Sequence, residues 1–330
     1  MEIPLNFSSK LYHSTKPEIW TGRTDSKSDF DQFRYHQAVH CIDLNDIRKE
    51  NQTVLLGFTS DIGVQRNGGR IGAAKGPSHF RNSIGSLCWH GNDDGFIDGG
   101  NIIPENEDLE TAHQELGKTV HHILESDNNP FVIGGGHETA FGHFLGVASF
   151  LKQKNPKAKL GILNIDAHFD LRPHNGIPHS GSPFLQAHEH AEKIGLDLKY
   201  FVYGINQDNN TRSLFNKANE VGAKFCLNTE VFNDEKKSLE KVQRFIDDRD
   251  FIYLTICLDV FEASIAPGVS APAWNGLKLN HALNLIQVLK NSGKMISSDI
   301  CELNPGFDLN NQTAKTAGSL FSAIINSSKV

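Results

Sequence analysis

The sequence predicts an α/β protein whose mostly parallel sheet is covered by helices on both faces. Two observations carry this: near-continuous apolar, β-rich runs recur along the chain, and segments with helical spacing lie between them. The runs are "TVLLGF" from Thr53, "FVIGG" from Phe131, "LGILNI" from Leu160, "KYFVYGI" from Lys199, "AKFCL" from Ala223, "FIYLTICL" from Phe251 and "KMISSDI" from Lys294. Among the helical segments, Leu109, Ala112, Leu116, Val120 and Ile123 recur at spacings of three and four, as do Leu239, Val242, Phe245 and Ile246. A third helix, from Asn280, stops at Gly293, a residue suited to the left-handed position past a helix end. No internal repeat, low-complexity tract or long Pro/Gly/Ser linker marks a boundary. The expectation is therefore one domain over 1–330, with an irregular N-terminal segment over 1–50.

Composition narrows the function. The chain has 330 residues, 38% hydrophobic and 22% charged, enough to bury a large core. Its formal charge is -7 and its pI about 6.1, with no clustered Lys and Arg to track phosphates, so a nucleic-acid partner is not expected. The opening "MEIPLNFSSK" lacks a basic region followed by an apolar core, and no apolar run is long enough for a membrane span. A cytoplasmic protein is expected. Five cysteines, Cys41, Cys88, Cys226, Cys257 and Cys301, are widely spaced without a CxxC pair, which fits reduced thiols.

In sheets of this kind ligands bind beyond the carboxyl ends of the strands. Four such ends are rich in metal-ligating side chains. "FVI" leads into "GGGHETAFG", whose glycines permit a tight turn and bring His137 to the sheet edge. "LGILNI" leads into Asp166, His168 and Asp170, at alternate positions that share one face if the extended conformation persists. "FIYLTI" leads into Cys257 and Asp259, and "KMISS" into Asp299 and Glu302. Taken singly, His137 reads as a helix-start residue and the carboxylates as loop polarity. A buried carboxylate cluster without a cation would repel itself, however, so the coincidence at four strand ends points to metal. Carboxylate with imidazole suits Mn, Fe, Co or Zn better than Ca or Mg. Six ligands, His137, Asp166, His168, Asp170, Cys257 and Asp259, suit two ions sharing bridging residues.

These motifs carry a resemblance. "GGGHE", "DAHFD" and "CLDVFEASIAPGVSAP" resemble the three metal motifs of the ureohydrolase superfamily of arginases, agmatinases and formimidoylglutamases. "WTGRTD" from Trp20, "NGGRIGAAKGPSHFR" from Asn67, "APGVSAPA" and "ELNP" from Glu302 resemble its formimidoylglutamase branch. The resemblance runs over most of the chain. It implies a three-layer arginase-like fold, with a central parallel sheet of about eight strands, and a two-ion manganese site at its carboxyl edge. It further implies that His137 and Asp170 bind one ion, that His168 and Asp259 bind the other, and that Asp166 bridges them. Cys257 stands where most of the superfamily has a second bridging aspartate, and is either a soft ligand or a small buried thiol.

The implied reaction is hydrolysis of N-formimidoyl-L-glutamate to L-glutamate and formamide in histidine degradation, by a hydroxide bridging the ions that attacks the amidine carbon. Asp170 would hold that hydroxide, and Glu302 would face the amidine nitrogens. Where arginases and agmatinases have a histidine, "HSGSPF" places Ser180, with His179 one before; either Ser180 relays a proton to the leaving amine or Asp170 returns it. Arg172, two beyond Asp170, is the expected clamp for a substrate carboxylate, or else the partner of a nearby acid. His174, His179, His188 and His190 cluster in the next stretch and read as a solvated loop. Sister enzymes acting on arginine, agmatine or guanidinobutyrate would share every metal ligand; a metal-poor metabolite binder is the remaining alternative, favoured by Cys257 alone. The expected partner is a small molecule. Related enzymes often assemble as trimers or hexamers, but no segment of this chain identifies an interface.

Overall fold

Ten strands form one sheet in the computed structural model, which describes residues 7–104 and 108–326. They are β1 (Tyr12–His13), β2 (Val39–Cys41), β3 (Thr53–Phe58), β4 (Phe96–Ile102) and β5 (Asn129–Ile133) in the first part of the chain. β6 (Lys159–Ile165), β7 (Asp197–Ile205), β8 (Lys224–Leu227), β9 (Phe251–Cys257) and β10 (Met295–Cys301) follow. Eight of them run parallel in the order β4-β3-β5-β10-β9-β6-β7-β8. The expected sheet of about eight strands is this set. Two short additions, antiparallel β1 and parallel β2, extend it along β4, so the N-terminal stretch is less irregular than expected.

All seven apolar runs became strands, but β4 escaped the pattern. Its sequence, "FIDGGNI", is broken by an acid and two glycines. The physical reason is that Asp98 is fully buried and neutralised locally. Arg81 donates from Nε to Asp98 Oδ2 at 2.7 Å and from a terminal nitrogen to Oδ1 at 2.9 Å, and Trp20 Nε1 donates to Oδ2 at 2.7 Å. Trp20 and Arg81 sit in "WTGRTD" and "NGGRIGAAKGPSHFR", so part of what makes those stretches distinctive is structural. Removing one partner of such a buried pair strands the other, at a cost of about 3–5 kcal/mol. Asp98→Ala is therefore expected to lower the unfolding free energy by that amount in a denaturant titration. An unchanged midpoint would show that the cluster is not holding the N-terminal segment to the sheet.

The three expected helices form at Leu109–Glu125, Glu235–Asp247 and Leu279–Ser292, the last ending at Gly293 with φ 66°. Five longer helices were not marked by spacing, among them Thr139–Lys154. That helix lies between Leu109–Glu125 and Pro183–Ile194 and buries Ala140, Phe144, Val147 and Leu151 along with Thr139, Gly142 and His143. With apolar neighbours on several sides it has no single polar stripe to reveal it. Two cores result, one on each sheet face. One gathers Phe80, Phe245, Leu285 and Phe321, and the other Leu116, Phe144, Phe184 and Leu214.

The sheet order brings the chemistry together. β9 and β10, last in sequence, insert between β5 and β6. The four strand ends singled out above thus belong to four adjacent central strands, β5-β10-β9-β6. Their ends are level, with Ile133 beside Ile300, Cys301 beside Cys257 and Ile256 beside Ile165. Among the described residues no helix is long and apolar enough to cross a membrane.

Candidate metal centre

His137 follows the three-glycine turn after β5. A side chain at Gly135 would place Cβ 1.7 Å from the Ser60 carbonyl, so the turn needs glycine there. The next residue, Glu138, is structural. Its Oε1 accepts from Gly63 N at 2.9 Å and from the Ser60 hydroxyl at 3.2 Å. Gly63 O in turn accepts from Ser180 N at 3.1 Å, which ties the "HSGSPF" stretch to this turn.

Asp166, His168 and Asp170 converge as expected, but not by continued extension. β6 ends at Ile165, and Asp166 Oδ1 accepts from His168 N at 2.7 Å, a local turn of the Asx kind. Asp170 then adopts φ 48°. Glu302, just past β10, adopts φ 73°. Left-handed backbone is uncommon outside glycine, tolerated by aspartate better than by glutamate, and such residues cluster at functional sites. Neither conformation could be read from spacing.

The donor atoms form two pairs about one carboxylate. His137 Nδ1 lies 3.0 Å from Asp166 Oδ2 and 3.0 Å from Asp170 Oδ2. His168 Nδ1 lies 3.2 Å from Asp259 Oδ2 and 3.5 Å from Asp166 Oδ1. Cys257 completes a close group with His137 and Asp166, all within 4.8 Å of one another, while Asp166, His168 and Asp259 form a second. Asp166 belongs to both. His137, Asp299 and Cys301 are also mutually close, but Asp299 is taken up by Tyr253 and His143.

Several features fit this donor set to cations. Asp259 Oδ1 and Glu302 Oε2 are buried without a hydrogen bond. Burial would lower the affinity of His137 and His168 for protons, yet hydrogen bonds and charge from Asp166, Asp170 and Asp259 raise both well above the usual imidazole range. Burial pushes the Cys257 thiol far up, and the charges of Asp166, Asp259, Glu302 and Asp170 push it further. Burial and the charge of Asp166 likewise raise Asp170. Burial, with Asp259 and Glu138 adding to it, pushes Glu302 up to about 8. These are the marks of excess negative charge, which divalent cations relieve; oxygen and nitrogen donors suit Mn²⁺, and the one sulfur does not exclude it.

A pH dependence follows. In metal-free protein, protons on His137 and His168 offset the carboxylates, and an incoming ion must displace them. Because both pKa values are raised, the imidazoles still hold protons near neutrality, and competition weakens as pH rises through the folded-state values. Metal binding is expected to release protons and to tighten with pH across the neutral range, read by titration calorimetry in buffers of different ionisation enthalpy. A pH-independent affinity would contradict this.

A cavity of about 220 Å³ opens above the cluster, lined by His137, His168, Asp170, Cys257, Asp259 and Glu302 with Arg172 and Ser180 at the side. Asp166 lies beneath it, fully buried. The nine residues expected as metal ligands, catalytic groups or substrate contacts are thus brought to one place, while Asp299 is taken up by Tyr253 and His143. Arg172 is exposed and, among the described residues, its guanidinium has no acidic partner and no hydrogen bond; the side chain lies against Gly181. Ser180 Oγ accepts from Asn67 Nδ2 at 3.2 Å. His179 faces away, bonded to Pro173 O at 3.3 Å and Gly181 N at 3.2 Å. His174 and His188 pair with Glu189 and Glu192, and His190 packs beside Phe141 and Phe144; His188 and His190 stand on the helix Pro183–Ile194 and not in the expected loop, and the four histidines make no cluster.

Arg70 is structural: its guanidinium donates to Ser270 O and Val269 O and stacks 3.9 Å from the centre of the Phe307 ring. A second cavity, about 340 Å³, opens at the opposite edge of the sheet beside Thr53, Trp89 and Asn129 and gathers no ligating cluster.

Sequence reasoning missed the supporting residues. Thr255 Oγ1 is 3.0 Å from His137 Nε2, and Asn164 Nδ2 donates to Asp166 Oδ2 at 3.0 Å and is held by the Tyr200 hydroxyl. A signal existed: each is the polar residue two before a ligand in an otherwise apolar strand, hence on the ligand's face. Asn210, which fixes the Asp166–Asp170 turn through Phe169 N and Ala167 O, sits far along the chain and carried no such mark.

The fold and the cluster together define the class. Residues 51–326 match the family model described as "Arginase: Arginase family", and the chain belongs to that family. Within it, the chain is 38% identical over 322 residues to a formimidoylglutamase of Clostridium tetani, covering 95% of each. It is 41% identical over 306 residues to a formimidoylglutamase of Nocardia farcinica, covering 93% of this chain and 95% of that one. Among solved structures, a variant of Trypanosoma cruzi formiminoglutamase with Mn²⁺ superposes at TM-score 0.74 and 25% identity, covering 85% of this chain and 94% of that one.

Proposed function

We propose that this chain hydrolyses N-formimidoyl-L-glutamate to L-glutamate and formamide, as a single catalytic domain in the cytoplasm that uses two manganese ions. The supporting observation is the free guanidinium of Arg172 beside a cavity floored by hard ligands, which matches a substrate with an amidine and two carboxylates. His137 and Asp170 would hold one ion, His168 and Asp259 the other, and Asp166 and Cys257 would stand between. Bound there, the ions supply Lewis acidity that makes water a nucleophile near neutral pH.

The chain's own groups do the rest. Arg172 anchors one carboxylate and sets the amidine carbon over the cluster. Glu302 is held through Oε1, which accepts from His137 N at 2.9 Å, and its unpartnered Oε2 accepts from an amidine N–H. Asp170, whose carboxyl is raised by burial, takes the proton released when water adds to the amidine carbon. The bond from that carbon to the glutamate nitrogen then breaks. The proton reaches the departing amine from Asp170 directly or through the Ser180 hydroxyl.

The test is to offer manganese-loaded protein N-formimidoyl-L-glutamate, arginine and agmatine separately and to follow glutamate, formamide and urea. Glutamate and formamide from the first substrate alone are expected. Urea from arginine or agmatine would keep the metal site and overturn the substrate assignment.

A further inference from the structure

In the stretch "NGGRIGAAKGPSHFR" Arg70 and Arg81 are structural, bound to the Ser270 carbonyl and to Asp98, but its first residue, Asn67, has no such role. Asn67 follows the short helix Ile62–Arg66 and lines the cavity above the metal cluster. It is exposed, and among the described residues its side-chain amide meets one group, the Ser180 hydroxyl, at 3.2 Å. Backbone hydrogen bonds hold the pair in place. The Gly63 carbonyl accepts from both Asn67 N at 3.0 Å and Ser180 N at 3.1 Å, and the neighbouring Gly181 carbonyl accepts from Arg172 N at 2.8 Å. A Cβ on Gly181 would lie 2.8 Å from Arg172 Cδ, 3.1 Å from Asn67 Nδ2 and 3.3 Å from Arg172 Nε, so the amide and the guanidinium flank one glycine.

We propose that Asn67 is a specificity-determining residue: its amide, paired with Ser180, receives the α-carboxylate of the substrate, while Arg172 takes the distal one. The inference rests on the proposed hydrolysis of N-formimidoyl-L-glutamate. The amide carries two hydrogens and the hydroxyl one, and their contact uses one of the three whichever way the amide is turned. Two remain, enough for the two oxygens of one carboxylate. No acid bonds to Asn67, Ser180 or Arg172 among the described residues, so no carboxylate of the protein competes for these donors. Depth decides which carboxylate goes where. Ser180 is 7% exposed, whereas Arg172 stands exposed at the side of the cavity. The α-carboxylate shares its carbon with the nitrogen that bears the formimidoyl group, so it must lie nearer the cluster than the distal carboxylate, two methylenes further out. The same seat puts that nitrogen beside Ser180, where the departing amine needs its proton.

The test offers full-length, manganese-loaded protein two compounds: N-formimidoyl-L-glutamate, and N-formimidoyl-γ-aminobutyrate, which keeps the distal carboxylate and lacks the α-carboxylate. Asn67→Ala is expected to raise KM for the first about 10- to 100-fold, more than it lowers kcat, and to leave KM for the second within twofold of wild type. Arg172→Gln is expected to raise both. Asn67→Asp can still accept from the Ser180 hydroxyl, so it keeps a merely structural tie, yet it sets one carboxylate against another and is expected to raise KM for the first compound more than Asn67→Ala does. If the second compound binds without being hydrolysed, its inhibition constant takes the place of KM. Circular dichroism controls for folding. Equal losses on both compounds with Asn67→Ala, or an unchanged KM with Asn67→Asp, would overturn the role of Asn67 and leave the proposed function standing. Wild-type protein that does not hydrolyse N-formimidoyl-L-glutamate would overturn both.

Discussion

Asp166→Asn is expected to reduce turnover of N-formimidoyl-L-glutamate by about 10³-fold or more, the rate equivalent of losing several kcal/mol of metal-derived stabilisation. Asp166 is the one carboxylate shared by both donor groups. Burial alone would raise its pKa, but hydrogen bonds from His137 and His168 hold it below the usual carboxylate range, so it is the anion on which the site is built. The amide keeps the shape of the side chain and can still meet His168 N, so the loss belongs to metal and charge and not to packing. Metal content and kcat measured on the same sample, with circular dichroism as a control on folding, decide the matter. Activity within tenfold of wild type would remove Asp166 from the bridging role.

The second large effect concerns substrate choice. Arg172→Gln is expected to raise KM for N-formimidoyl-L-glutamate about 10- to 150-fold, the equivalent of about 1.5–3 kcal/mol for a hydrogen bond to a charged group. Since Arg172 is exposed and makes no ion pair among the described residues, its removal leaves no buried partner stranded, and stability is expected to be unchanged. Arg172→Lys should fall between, because an ammonium keeps the charge and loses the two-pronged geometry. The contact is remote from the reacting carbon, so KM is expected to move more than kcat. Steady-state kinetics check this, and a KM within twofold of wild type would contradict the clamp.

How far the sequence carries depends on which physical rule governs each part. The central strands were legible because both faces of a parallel sheet are buried and their residues are almost uniformly apolar. β4 was not, because Asp98 is buried with Arg81 and Trp20, partners 17 and 78 residues away in sequence, which no local window contains. The helix Thr139–Lys154 was hidden by being surrounded. For the site, ligand types at strand ends were enough to name all six metal-ligand candidates, since a side chain's place at a sheet edge follows from where its strand stops. The conformations that aim them were not legible. The left-handed backbone of Asp170 and Glu302 goes with contacts made from elsewhere, such as Asn210 on the Phe169 N–H and the His137 N–H on the Glu302 side chain. Nor could spacing show that Arg172 lacks an acidic partner, a fact of the folded surface.

The central claim is a two-ion centre built on Asp166, and crystals of manganese-loaded protein measured at the manganese absorption edge test it most directly. The account predicts two anomalous peaks flanking the Asp166 carboxylate, one against His137 and Asp170 and the other against His168 and Asp259, with the Cys257 sulfur beside them. A single peak, or peaks at His174, His188 and His190 with none at Asp166, would contradict it.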